Sequence, residues 1–302
     1  MYDMQSVHVP VLASEVVDFL KASAGGDFLD LTFGGGGHSR CILEANSGNR
    51  LIAFDRDMAA VGQGRALERE FDGRFSIKHA AFGDVLSQVG SSKFNGILAD
   101  LGISSDQLAS GRGFSFGDAD SLDMRMDQTQ ELTAAHIVNE IALSQLELIL
   151  KQGGAAEEAR WAARAIVNSR PLKNAAEVAK VIESAFRGPR KRTHPATVVF
   201  QALRIAVNQE LQQIEALLEA LPKLVQSGGR AAVICFHSLE DQIVTKRMRA
   251  WATPEFSAST RTQAAQKSLG KLLTKKAIVP SEAEIQRNPR SRSARLRVFE
   301  FI

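Results

Sequence analysis

Two cysteines in 302 residues, Cys41 and Cys235, are too few and too far apart for a disulfide framework or a zinc site. Both are expected to pack as small apolar residues, and no metal is expected. No stretch of about 18 apolar residues occurs, which leaves no candidate for a membrane-spanning helix. Met1 to Pro10 lacks a basic region followed by an apolar run, so no secretory signal is expected and the expected compartment is the cytoplasm. Strand patterning is also missing over a long internal stretch, from about Ser105 to Gly229.

What is present suffices for a packed core, since 44% of the chain is hydrophobic. The net charge of +3 is unevenly placed. From Asp241 to Ile302 there are thirteen Lys/Arg against five Asp/Glu, a net +8, which leaves −5 for the remainder. Such a basic C-terminal fifth suits either a solvated surface or a polyanionic partner, and charge alone does not choose between them.

Short β-rich runs at Asp27 to Phe33, Arg50 to Asp55, Phe75 to Ala80 and Asn95 to Asp100 alternate with helical stretches at Ser14 to Ala24, Ser39 to Ala45 and Met58 to Phe71. This rhythm predicts an α/β fold with a parallel sheet, and Ser14 is expected to cap the first helix. A fifth strand resumes at Gly229 to Phe236, and Ala294 to Ile302 alternates as a last one. Between them lie a Gly/Phe/Asp-rich loop, Gly111 to Asp127, and helices at Leu143 to Lys151, Glu157 to Asn168, Ala175 to Phe186 and about Pro195 to Leu221. A structureless loop of that length is improbable in a compact domain, so an all-helical second domain inserted between strands four and five is expected. The expected division is 1–107 with 201–302, and 108–200. In the last helix Phe200, Leu203, Val207, Leu211, Ile214, Leu218 and Leu221 recur at helical spacing, a stripe for core or a homodimer seam.

After the first strand, Asp30-Leu31-Thr32-Phe33 leads into Gly34-Gly35-Gly36-Gly37-His38-Ser39 and then a helix. Glycines there let backbone amides approach a ligand at a positive helix terminus. The next strand ends in Asp55, placed where a carboxylate accepts hydrogen bonds from ribose hydroxyls. A dinucleotide fingerprint wants a glycine where Ser39 stands and a phosphate at the loop. The acids Asp30 and Asp100 at strand ends suit an ammonium and an amine instead, so the pattern favours S-adenosylmethionine over NAD.

With these residues in view, the chain resembles the ribosomal RNA small-subunit methyltransferase H family, also called MraW. The resemblance covers nearly the whole chain. It rests on His8-Val9-Pro10-Val11-Leu12, the glycine loop, Phe54-Asp55-Arg56-Asp57, Asp100-Leu101-Gly102-Ile103-Ser104-Ser105 with Gln107, and Arg112-Gly113-Phe114-Ser115-Phe116. Further segments are Leu122 to Asp127, His194-Pro195-Ala196-Thr197, Phe200 to Ile205, Phe236-His237-Ser238-Leu239-Glu240-Asp241 and Asn288 to Ser293. Two departures stand out: Leu31 replaces a common glycine, and Gly153 to Glu158 is longer than the usual turn. The resemblance implies a Rossmann-like class I methyltransferase sheet with an inserted helical substrate domain. It further implies N4 methylation of a decoding-region cytidine in small-subunit ribosomal RNA. It also implies cofactor contacts at Gly36, Gly37, His38, Asp55, Phe82, Asp100 and Gln107, although Phe82 suits plain core packing equally.

A cytosine amine is a weak nucleophile, because its lone pair is delocalised into the ring, so positioning dominates the chemistry. Asp100 and the Leu101 carbonyl are the expected acceptors of its N–H groups, with Ser104 and Ser105 in support. The Asp/Asn-Pro-Pro-aromatic sequence of many amino-methyltransferases is only partly matched. His237 lies on the same carboxyl edge and serves either to line the cytidine pocket or to cap the helix starting near Ser238. Arg112 and Arg125 are candidates to hold phosphates while Phe114 stacks a base, or else Asp123 to Asp127 forms a salt-bridge knot that closes the loop. Arg190, Lys191 and Arg192, with Lys271, Lys275, Lys276, Arg290, Arg292, Arg295 and Arg297, form a candidate phosphate-binding flank. The expected partner is small-subunit ribosomal RNA, free or in the assembled subunit. Three other readings stay open: a non-catalytic RNA-binding assembly factor, an amino-methyltransferase on another nucleic acid, and a nicotinamide-dependent oxidoreductase. Replacing Arg190, Lys191 and Arg192 with Gln should weaken RNA binding and flatten its salt dependence, read from affinities across a salt series; unchanged affinity would leave them as solvated surface.

Overall fold

The computed structural model describes residues 10–119, 121–188, 194–256 and 264–302. They form two compact units, Met1–Gly102 with Gln212–Ile302, and Ile103–Leu211.

The first unit is built on a seven-stranded sheet: β1 (Asp27–Asp30), β2 (Arg50–Asp55), β3 (Phe75–His79), β4 (Phe94–Asp100), β5 (Val225–Cys235), β6 (Gly270–Leu272) and β7 (Arg295–Phe301). Their order is β3-β2-β1-β4-β5-β7-β6. The first five are parallel, and β7 and β6 close one side antiparallel. Helices α1 (Ala13–Phe19), α2 (Gly37–Ala45), α3 (Met58–Glu70) and α4 (Val85–Val89) precede, and then alternate with, the first four strands. Strand order reverses beside β1, where β2 runs off one side and β4 off the other, which opens a crevice at the carboxyl ends of an open sheet. Phe28, Leu29, Leu51, Ala53, Ile97, Leu98, Ala232 and Ile234 are all essentially buried, as a parallel sheet covered on both faces requires.

Register fixes what meets at that edge. Asp30 pairs with Ala53 on β2 and with Leu98 on β4, so Asp55 and Asp100 each lie two residues further on. Side chains alternate with period two, and the three carboxylates therefore share one face.

Two local expectations are corrected. Ser14 does not cap α1. Leu12 takes that position in a left-handed conformation, φ 54°, because its buried side chain anchors the entry and its N–H donates to Glu284 at 2.8 Å; the Ser14 hydroxyl turns to Glu15 instead. The single long helix expected from Pro195 to Leu221 is two, α10 (Thr197–Asn208) and α11 (Glu210–Leu224), after α5 (Ser105–Leu108), α6 (Ala134–Asn139), α7 (Leu143–Gln152), α8 (Ala159–Asn168) and α9 (Ala175–Ala185). The break is Gln209, with φ 51°. The preceding Asn208 is fully buried; its side-chain amide donates to the carbonyls of Met124 and Arg204, and its oxygen accepts from the Met126 N–H. Apolar spacing survives one left-handed residue, which is why periodicity alone reads through the break.

The described part of the second unit holds helices and no strand. Its core joins Phe114, Leu122, Met124 and Met126 of the loop to Ile137, Leu146, Ile166, Val178, Phe200 and Leu203.

After β5 comes α12 (Ser238–Ala252), and α13 (Glu282–Arg287) precedes β7. Arg297 of β7 is a further correction: it is buried, not part of a phosphate-binding flank. Its guanidinium donates to both oxygens of Asp241 on α12, at 2.7 and 3.0 Å, and Arg295 adds a bond of 3.1 Å. Burial pushes the Asp241 carboxyl up, but the two guanidiniums outweigh it and hold the group below its ordinary range. Arg297→Met should therefore cost about 3 kcal/mol in urea unfolding, because it leaves a buried carboxylate with only the half-exposed Arg295 as its ion-pair partner, whereas Arg297→Met with Asp241→Leu should recover most of that loss. Equal losses in the single and double variants would contradict the pairing.

Candidate active site

At two positions the loop after β1 is packed too closely for a side chain. Gly36 is the N-cap of α2 with φ 77°, and a Cβ there would lie 2.5 Å from the Phe33 ring. At Gly37 a Cβ would come within 2.9 Å of Pro10. The first-turn amides of α2 have no acceptor within the helix, so Gly37 and His38 present N–H groups at its positive end.

Three carboxylates surround this turn. Asp30 is fully buried and accepts from the Ser39 hydroxyl at 2.7 Å and the Thr32 N–H at 3.2 Å; burial pushes its carboxyl up. Asp55 accepts from the Gly34 N–H and the Asp57 N–H, both at 2.8 Å, which ties β2 to the glycine loop. Asp100 is held through its own N–H, which donates to the Thr32 hydroxyl at 2.6 Å. Just beyond it the Leu101 N–H donates to the Ile234 carbonyl, which extends the β4–β5 pairing by one residue. Thr32 is thus the clasp between β1 and β4. Its role is absent from the sequence analysis, although a hydroxyl two residues after Asp30 is a visible signal.

His38 is 6% exposed, and neither ring nitrogen has a hydrogen-bond partner. Its Nε2 lies 3.6 Å from Asp100 Oδ2, and Asp100 Oδ1 is also buried without a partner. Phe82 is half-buried in the short turn Phe82–Asp84 after β3, where the Gly83 N–H donates to Gln213 at 2.9 Å.

Other expected site residues are occupied by structural tasks. His237 caps α12: its Nδ1 accepts from the Glu240 N–H, and the Glu240 carboxylate accepts from the N–H groups of Phe236 and His237. Its Nε2, 3.1 Å from the other Glu240 oxygen, lacks hydrogen-bond alignment. In the second unit, Ser104 and Gln107 form a reciprocal capping box on α5, at 3.1 and 3.0 Å. Arg125 grips both oxygens of Asp123 and donates to the carbonyls of Gln128 and Gln130. Arg112 donates to Ser110 and to the carbonyls of Arg125 and Met126, and lies over the buried Phe114 ring. The loop is closed by this knot, and Phe114 presents no face for a base. Arg190, Lys191 and Arg192 lie outside the described residues. Gly113-Phe114-Ser115-Phe116-Gly117 spells a nucleophile-elbow pattern, but Ser115 sits in a loop with no strand before it and no helix after it.

Burial raises the Asp55 carboxyl to about 6, despite the two amides that favour its charged form. The folded state thus holds this proton more tightly than the unfolded chain, whose carboxyl titrates near the ordinary 3.8. Its contribution to stability is complete below about pH 4 and is lost as pH rises through about 6. Carboxyl 13C NMR should show the Asp55 midpoint near 6; a midpoint in the usual aspartate range would overturn the assignment.

The chain matches the MraW methylase family over residues 5–302. It is similar to the ribosomal RNA small subunit methyltransferase H of Cyanothece sp., 45% identical over 295 residues that cover 97% of this chain and 94% of that one. The protein of the same name from Nitratiruptor sp. is 40% identical over 305 residues, covering 99% of each. Among solved structures, an rRNA methylase from Streptococcus thermophilus aligns over 94% of this chain and 93% of its own, with 11% identity and a TM-score of 0.39. On the strength of the chain-long family match and these relatives, the chain belongs to the MraW methylase family.

Proposed function

We propose that this chain transfers a methyl group from S-adenosylmethionine to the exocyclic N4 amine of a cytidine in the decoding region of small-subunit ribosomal RNA. The observation that carries the reading is the buried, unbonded imidazole of His38 facing the part-exposed Asp100 carboxylate, whose buried Oδ1 is also unbonded, beside a glycine turn at the carboxyl edge of a methylase-family sheet. Buried polar atoms are normally bonded, so an unpaired set at a crevice marks a place completed by ligand. The names of the relatives support the ribosomal substrate.

The residues fit the donor. The amides of Gly37 and His38 would face its amino-acid moiety, Asp55 would accept from the ribose hydroxyls, and Phe82 would cover the adenine; Gly36, whose N–H donates to the Phe33 carbonyl, and Gln107 are carried over from the resemblance. When bound, the donor supplies a methyl group made electrophilic by an adjacent sulfonium. Asp100 then accepts an N–H of the amine through Oδ1 and holds the nitrogen lone pair in line. That is an orientation effect, the main source of acceleration for a weak nucleophile. Ser104 takes no chemical role in this reading, since its hydroxyl holds a helix cap, and the Nδ1 of His237 does the same. The helical unit serves as the substrate-recognition domain. The exposed cations Lys271, Lys275, Lys276, Arg290 and Arg292 supply phosphate contacts, together with the basic run at 190–192.

The test is methyl transfer from labelled donor to small ribosomal subunits and to naked ribosomal RNA, followed by nucleoside analysis. N4-methylcytidine is expected; label on another nucleoside, or none on either substrate, would sink the proposal, and RNA binding without any transfer would favour the non-catalytic assembly factor. Asp100→Ala should abolish transfer, and full turnover by that variant would remove Asp100 from the chemistry. Asp55→Ala should mainly weaken S-adenosylhomocysteine binding, by about 10- to 100-fold in calorimetry, as expected for lost hydrogen bonds to a charged acceptor. In the wild type that affinity should fall as pH drops through about 6, because the protonated Asp55 no longer accepts from both hydroxyls.

A further inference from the structure

Donor binding would use the amide of His38 and leave its side chain without a task, yet the side chain is the less satisfied of the two. Its imidazole is enclosed on the first turn of α2 with neither nitrogen bonded. Such burial is unfavourable unless the ring finds a hydrogen-bond partner. The groups that face it restrict the choice. Asp30 from β1 already accepts from Ser39 and Thr32. Ser39, the next residue of α2, is spent on Asp30. Asp100 from β4 remains. Its Oδ2 lies 3.6 Å from His38 Nε2, and its Oδ1 has no partner.

We propose that His38 is a positioning residue for Asp100: the His38 Nε2–H closes onto Asp100 Oδ2 and turns Oδ1 toward the N–H of the acceptor amine. The main-chain end of Asp100 is already pinned, because its N–H is held by Thr32. Only rotation of the carboxylate about its side-chain bonds is left open, and a single donor at Oδ2 removes it. A contraction of roughly half an ångström brings the pair into hydrogen-bond range. The imidazole then donates through its Nε2–H. This inference rests on Asp100 as the hydrogen-bond acceptor of the amine N–H, and its test separates the two.

The first arm needs no turnover. In 15N NMR of the ligand-free protein, the His38 ring signals are those lost in His38→Gln. They should show the Nε2–H tautomer, and Asp100→Asn should move the Nε2 resonance more than the Nδ1 resonance. An unchanged Nε2 resonance overturns the pairing. In the second arm, His38→Phe should lower kcat on the order of 100-fold with a smaller change in KM, as a misplaced reacting group does. His38→Gln, which keeps an N–H donor, should restore most of the loss. The double variant His38→Phe with Asp100→Asn should be no slower than Asp100→Asn alone, since residues acting as a unit are not additive. Multiplying losses, or a rise in KM alone, overturn the proposal. If the wild type methylates neither substrate, the functional reading falls while the NMR arm still decides the pairing.

Discussion

The site depends on the register that sets Asp55 and Asp100 two residues beyond Asp30, one on each side of β1. Three carboxylates are thereby gathered at one crevice. Burial raises two of them, and repulsion from neighbouring carboxylates adds to the effect. The glycine turn answers that cost. It brings the Gly34 amide onto Asp55, the Thr32 amide and Ser39 hydroxyl onto Asp30, and the Thr32 hydroxyl onto the Asp100 backbone. The same turn then starts α2, whose positive end lies among the acids. An acidic, partly neutralised pocket of this kind suits a ligand that carries positive charge, which is the electrostatic character of a sulfonium with an ammonium.

Within each unit, polar residues divide into those that are bonded and those that are not. His237 and Glu240 hold the start of α12, Ser104 and Gln107 the start of α5, and Arg112, Arg125 and Asp123 the loop that follows. Each local bond satisfies a backbone group that a helix end or a turn would otherwise leave exposed. A side chain so engaged has little left for chemistry. His38 and Asp100 are the counter-case: the His38 ring is enclosed with neither nitrogen bonded, and the part-exposed Asp100 carboxylate keeps one buried oxygen unbonded. Function at this site is read more clearly from what remains unbonded than from which residue types are present.

Much of this is legible in the chain itself. The alternation of short strands and helices marks β2 to the residue and the other early strands nearly so. The glycine run, Asp55 and Asp100 mark the crevice from residue type and spacing alone. Harder to see are features that join distant residues. Nothing in the periodicity of α10 and α11 marks Gln209 as a break, because the fixing contacts run from Asn208 to the loop at Met124 and Met126. Arg297 looks like one more cation in a basic tail, and is a buried partner only because α12 places Asp241 against β7.

By itself, then, the sequence determined the α/β class, the helical insertion, the glycine turn and the acids at the strand ends. Those depend on local spacing and on residue type, which the chain carries whatever its neighbours do. Tertiary structure decided which groups are used up and which stay available: the capping role of His237, the knot around Arg125 and the unsatisfied pair of His38 and Asp100. Hydrogen-bond partners are assigned by proximity in space. A linear pattern offers candidates for each bond, but only the folded packing leaves a given donor or acceptor without one.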